Sequence, residues 1–156
     1  MKYTILAFSE NNPGVLYRIS DLFLKRNINI ESLTVSETET LGISRFTIYV
    51  NVDERTINTL TKQLFRIIEV VDIYYFQDAD ILFKEIAFIK LKKVTSDKIQ
   101  YLKTIVVNNN ATIASEKTQI VIEKVGTEKE VDALVKDLRT FGIAEFIRSG
   151  RSAIKK

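Results

Sequence analysis

The run Asn11-Asn12-Pro13-Gly14-Val15-Leu16 contains the residue types best suited to holding a small charged ligand. It follows an alternating apolar stretch at residues 2–9 and precedes Val15, Leu16, Ile19, Leu22 and Phe23 at helical spacing, so it opens a helix. Backbone N–H groups at a helix start have no intrahelical acceptor and sit at the positive end of the helix dipole, which suits a carboxylate or a phosphate. Gly14 has no Cβ, so a ligand could lie directly against the backbone. Asn11 or Asn12 is the expected cap, and Pro13 suits the first turn because it has no N–H to leave orphaned. From spacing alone, the favoured reading of this run is a well-capped helix start and nothing more. Asn29, in Asn29-Ile30-Glu31-Ser32, is a second polar point in an apolar stretch. Its amide can donate to a carboxylate and accept from an ammonium group, and it also suits a turn with left-handed backbone.

The residue types that are missing exclude whole classes of chemistry. The 156 residues include no His and no Cys. This removes the commonest zinc ligands, any disulfide framework and nucleophile–His–carboxylate catalysis. Acid–base work near neutral pH would need a shifted Lys, Asp or Glu, and no paired carboxylates or nucleophile–base set suggest a hydrolase. The first apolar run is too short for a signal-peptide core, and no stretch approaches the roughly 20 apolar residues of a membrane span. A cytoplasmic location, with no membrane partner, is therefore expected. Net charge is +3 and mostly dispersed, with the densest basic cluster at Arg148, Arg151, Lys155 and Lys156. A solvated tail is the expectation there, because phosphate binding usually needs one concentrated basic face.

The elements that position these residues follow one plan twice. In the first half, strands are expected over 2–9, 28–37, 44–52 and 70–76, with a turn at 38–42. Helices carry the Val15–Phe23 residues named above and the stripe Ile57, Leu60, Leu64 and Ile67, the latter capped by Asp53. From residue 83 the order begins again, with strands at 83–91, 111–115, 118–125 and 143–149 and a hairpin turn at Glu116-Lys117. Ser96 is the expected cap of a helix with Ile99, Leu102 and Val106. Thr127 and Glu130 form a capping box before Val131, Leu134, Val135, Leu138 and Phe141. The fold class is α+β, with two ferredoxin-like β-α-β-β-α-β domains in tandem: residues 1–76, a linker at 77–82, and residues 83–156. RNA-recognition modules share this strand order. Their third strand needs a basic–Gly–aromatic pattern, and Ser44-Arg45-Phe46-Thr47-Ile48-Tyr49-Val50 has no glycine, so no nucleic-acid partner is expected.

Particular runs carry a family resemblance. Asn11-Asn12-Pro13-Gly14-Val15-Leu16 resembles the D-x-P-G-x-L signature of ACT domains, which are regulatory modules that bind amino acids. Asn29-Ile30-Glu31-Ser32-Leu33-Thr34-Val35 resembles the N-I-E-S-L-T-V run of the acetolactate synthase small subunit, a far more specific match. Ile43-Ser44-Arg45-Phe46-Thr47-Ile48 is similar to that family's L-S-R-M-T-I. Lys84-Glu85-Ile86 with Ile89-Lys90-Leu91, and Arg148-Ser149-Gly150, are similar to its R-E-[LI], V-K-[VI] and R-[ST]-G patterns.

The resemblance implies an ACT domain in the first half, a homodimer formed through it, and valine as an effector at the interface. Carried over by position, Asn11 and Gly14 would hold the amino acid's charged end, with Asn29 and Ile30 facing it from the second subunit. Val15 and Leu16 would bound a pocket for the branched side chain or pack in the core. The resemblance further implies a non-catalytic subunit that activates the large catalytic subunit, a transferase of branched-chain amino-acid biosynthesis, and confers feedback inhibition on it. Thiamine diphosphate, Mg and FAD would belong to that partner, leaving this chain with no cofactor, metal or catalytic residue. The alternative is a stand-alone ACT-type sensor acting on another partner, against which stands the N-I-E-S-L-T-V run.

Overall fold

In the computed structural model, which describes residues 1–115 and 119–156, the chain forms two compact units. The first comprises Met1–Phe83 together with Arg151–Lys156, and the second Lys84–Gly150. The expected turn at Glu116-Lys117 lies outside the described residues.

The first unit contains β1 (Lys2–Glu10), α1 (Val15–Lys25), β2 (Ile30–Glu37), β3 (Ile43–Asn51), α2 (Glu54–Leu64) and β4 (Val70–Phe76). Its sheet has the order β2-β3-β1-β4, with every neighbouring pair antiparallel. This is the expected ferredoxin-like order, which leaves β2 and β4 at the edges. β1 is buried on both faces, and for that reason it is apolar without a break from Ile5 to Phe8. Tyr3, Ile5 and Ala7 meet Phe46, Ile48 and Val50 on one face. Val15, Ile19 and Phe23 of α1, and Ile57, Leu60 and Leu64 of α2, cover that face at helical spacing. Each fully buried side chain of this size contributes roughly 1.5–3 kcal/mol.

The two helix starts differ. Asp53 caps α2 as expected, accepting from the Thr56 N–H at 2.7 Å. The expected Asn cap on α1 is absent. Gly14 is the N-cap residue, with φ +89° and no side-chain cap hydrogen bond. Asn11 Nδ2 instead donates to Glu37 Oε1 at 3.3 Å, and Asn12 Nδ2 to Glu10 Oε2 at 2.9 Å. Pro13 precedes the helix rather than entering its first turn.

The second unit repeats the plan. β5 (Ile81–Leu91), whose first residues belong to the first unit, leads to α3 (Ile99–Asn108), β6 (Thr112–Ser115), β7 (Val121–Gly126), α4 (Glu128–Leu138) and β8 (Ile143–Arg148), in the sheet order β6-β7-β5-β8. Thr127 and Glu130 form the expected capping box at α4. Ser96 does not cap α3. It begins a 3-10 turn, Ser96–Lys98, and no side chain caps the helix that follows. Leu102, Ile105 and Val106 pack with Ile89, Leu91 and Leu134 in a separate core.

Two boundaries differ from the sequence division. Residues 77–82 do more than link the units, because Asp78–Asp80 forms a 3-10 turn and Ile81 is buried at the start of β5. Residues 151–156 leave the second unit and return to the first, where Ser152–Lys155 forms a further strand, β9, paired with β5. The reason is that Arg151 and Ala153 find buried partners on the first sheet's outer face, described below.

Candidate functional site: a glycine-led helix start and the edge strand

The loop after β1 is held by backbone. The Asn11 N–H donates to the Gly42 carbonyl at 2.8 Å, and the Asn12 N–H to the Glu10 carbonyl at 3.0 Å. The left-handed φ of Gly14 explains why glycine stands there. A Cβ built on Gly14 would meet nothing within 4 Å, so the space above the first turn of α1 is open. With the Asn11 and Asn12 side chains turned to Glu37 and Glu10, no side chain occupies the positive end of this helix. The Val15 N–H donates to the Asn12 carbonyl at 3.4 Å, so anion binding here would rest on the backbone N–H groups that follow it in the first turn.

The other candidate residues lie elsewhere. Val15 is only 2% exposed and belongs to the core, with its N–H spent on the Asn12 carbonyl, whereas Leu16 is 47% exposed. Asn29 is exposed, and its Nδ2 donates to Glu31 Oε1 at 3.4 Å. Asn27, with φ +53°, takes the left-handed turn position for which Asn29 was a candidate. Ile30 packs partly against the core and precedes a bulge between Ile30 and Ser32.

Within one chain these residues are not brought together. Ile30 is level with Val50, which is level with Tyr3 on β1, while the Asn11–Gly14 loop follows Glu10 at the opposite end of that strand. At about 3.3 Å per residue the separation along the sheet is about 23 Å. Two groups missed by sequence reasoning frame the loop: Glu37, which accepts from Asn11, and Leu41, 99% exposed at the hairpin tip beside Gly42. Only the turn character of residues 38–42 hinted at them.

On the outer face of the same sheet, the expected solvated basic tail holds for Lys155 and Lys156, which are exposed, and fails at Arg151. Arg151 is 4% exposed. Its Nη1 donates to Thr4 Oγ1 at 3.1 Å and Asp78 Oδ1 at 2.7 Å, with its guanidinium between the rings of Tyr49 and Phe83. The backbone of Arg151 is held by Ser32 and Thr34, and Arg45 donates to the Ala153 carbonyl. In the second unit, Arg148 pairs with Glu85 and with Asp132.

Among the described residues, no group of three or more His, Cys, Asp or Glu could hold a metal ion, and no helix is long and apolar enough to cross a membrane.

The fold has counterparts among known proteins. Residues 5–72 match the model of the AHAS small subunit-like ACT domain, a class of regulatory module. Residues 84–156 match the model of the small subunit of acetolactate synthase. A probable acetolactate synthase small subunit of Methanothermobacter thermautotrophicus is 33% identical, over 99% of this chain and 92% of its own. The acetolactate synthase small subunit of Bacillus subtilis is 35% identical, over 100% and 91%. The crystal structure of the small subunit from Thermotoga maritima superposes with a TM-score of 0.91 at 28% identity, covering 100% of this chain and 98% of that one. The chain belongs to the acetolactate synthase small-subunit family, with an ACT domain in its first unit.

Proposed function

We propose that this chain is a non-catalytic regulatory subunit which binds valine between the ACT domains of two copies. In the cytoplasm it would activate, and confer feedback inhibition on, a thiamine-diphosphate-dependent catalytic subunit. The observation that carries this reading is the helix start at Gly14, which has no side-chain cap and open space above it. An amino-acid carboxylate placed there gains roughly 0.3–1 kcal/mol from the helix dipole, and a charge-assisted hydrogen bond adds roughly 1.5–3 kcal/mol.

The separation of the two candidate halves favours a dimer. β2 is an edge strand, and Glu37 at its end accepts from Asn11. Antiparallel pairing of β2 with β2 of a second copy would set Asn29 and Ile30 of one chain beside Glu37 and the Asn11–Gly14 loop of the other. Each site would then draw Asn11, Gly14 and Leu16 from one copy and Asn29 and Ile30 from its partner. Valine bound across the pair would favour one arrangement of the assembly by its differential affinity, with each 1.4 kcal/mol worth a factor of ten. Thiamine diphosphate, Mg and FAD would be held by the catalytic subunit.

Calorimetric titration of the full chain with valine, with light scattering on the same sample, tests this reading. Saturable binding at one site per chain in a dimer is expected. A monomer that persists with valine present, or the absence of saturable heat, would contradict it.

A further inference from the structure

We propose a second small-molecule site on the outer face of the first unit's sheet, one that takes a small apolar monocarboxylate lacking an ammonium group. It is a cavity of about 290 Å³ lined by Leu6, Phe8, Arg45, Tyr74, Phe76, Ile154 and Lys155. All seven residues belong to the first unit, and two come from the segment that returns to it at residue 151.

The lining is apolar except at two cations and the Tyr74 hydroxyl, which is spent on Asp72. Leu6 is buried, and Phe8 and Phe76 pack against it. Tyr74 bridges the row of rings, 6.5 Å from Phe8 and 6.3 Å from Phe76 between centroids. The Arg45 guanidinium lies 5.5 Å from the Phe8 ring centre, and Lys155 Nζ lies 5.9 Å from that of Phe76. Arg45 spends one donor on the Ala153 carbonyl. Among the described residues, neither cation forms an ion pair. Water in such a cavity would find few polar partners, while an apolar body with one negative group would satisfy both the floor and the cations.

The same surroundings exclude a free amino acid. No carboxylate lines the cavity, so an ammonium group would face two positive charges and no acceptor of opposite sign. Asp72, the carboxylate bonded to the lining Tyr74, is occupied: its Oδ1 accepts from the Ile73 N–H at 2.8 Å and its Oδ2 from the Tyr74 hydroxyl. In size the cavity corresponds to about ten water volumes of about 30 Å³ each, enough for an acid of about that many non-hydrogen atoms.

The test uses the full chain and three probes of one skeleton: 4-methylpentanoate, its neutral amide, and leucine, which adds an ammonium group. Ligand-observed NMR with calorimetric titration is expected to show the acid bound, and the amide and leucine at least tenfold weaker in competition for it. Lys155→Met, at an exposed position, should weaken the acid roughly tenfold with an unchanged melting curve. Gly14→Asp should leave acid binding intact, which separates this cavity from the proposed valine site. Equal binding of acid and amide, tighter displacement by leucine, undiminished binding by Lys155→Met, loss of binding in Gly14→Asp, or no binding of the acid would each overturn the proposal.

Discussion

The guanidinium carbon of Arg151 stands 3.3 Å from the centroid of the Tyr49 ring, with the ring of Phe83 at 4.1 Å. Arginine is rarely this buried, and a planar guanidinium between two aromatic faces keeps its charge while both faces are desolvated. Thr4 and Asp78 take its Nη1, and Ser32 and Thr34 take its backbone. Residues nearly 150 positions apart in sequence are joined here, and the joint fixes the returning segment on the sheet.

Replacing Arg151 with Ala should therefore destabilise the first unit by about 2–3 kcal/mol, a value moderated because Asp78 is partly exposed. Arg151→Lys should recover little of it, since an ammonium cannot stack between two rings while reaching both oxygens. Urea unfolding gives the measurement. An Ala variant within error of the parent would mean that the segment does not depend on this side chain.

The cap of α2 gives a pH dependence of known sign. Hydrogen bonds from the Thr56 backbone and side chain hold the Asp53 carboxyl below the usual carboxylate range. A depressed folded pKa contributes stability that is present above the unfolded value near 3.9 and lost as pH falls through the folded one. Asp53→Asn keeps a capping residue but removes that increment. The parent should melt higher than Asp53→Asn at pH 7, and the gap should close in acid below about pH 4. A gap that widens on acidification would refute the assignment.

Much of the architecture was legible in sequence, and the failures at Asn11 and Arg151 share one cause. Alternation gave the strands of both sheets except β9, and caps made within four residues, at Asp53 and at Thr127 with Glu130, were read correctly because both partners are local. Asn11 looked like a cap because its competing partner, Glu37, is 26 residues away. Arg151 looked like part of a solvated tail because nothing near it in sequence signals the pocket formed by Tyr49, Phe83, Thr4 and Asp78. The motif residues of the candidate site were visible in the chain. That Asn11 and Gly14 lie at the far end of the sheet from Asn29 and Ile30 required the strand register.

Gly14→Asp and Gly14→Asn separate charge from backbone strain. At φ +89° either side chain costs roughly 1–2 kcal/mol, and neither meets a steric obstacle. Both variants should fold with a similarly lowered melting temperature. Only Asp places an anion where the ligand's carboxylate would lie, so Gly14→Asp should bind valine at least tenfold more weakly than Gly14→Asn. Equal affinities by calorimetry would remove this loop from the valine site.

Under the proposed function the chain regulates a catalytic partner and performs no turnover itself. The most direct measurement is acetolactate formation by the purified catalytic subunit alone, by this chain alone, and by the two together across a valine titration. No activity is expected from this chain, with higher activity from the mixture than from the catalytic subunit, and inhibition by valine only when both are present. Acetolactate formation by this chain alone, or a catalytic subunit whose rate and valine response are unchanged by its addition, would contradict it.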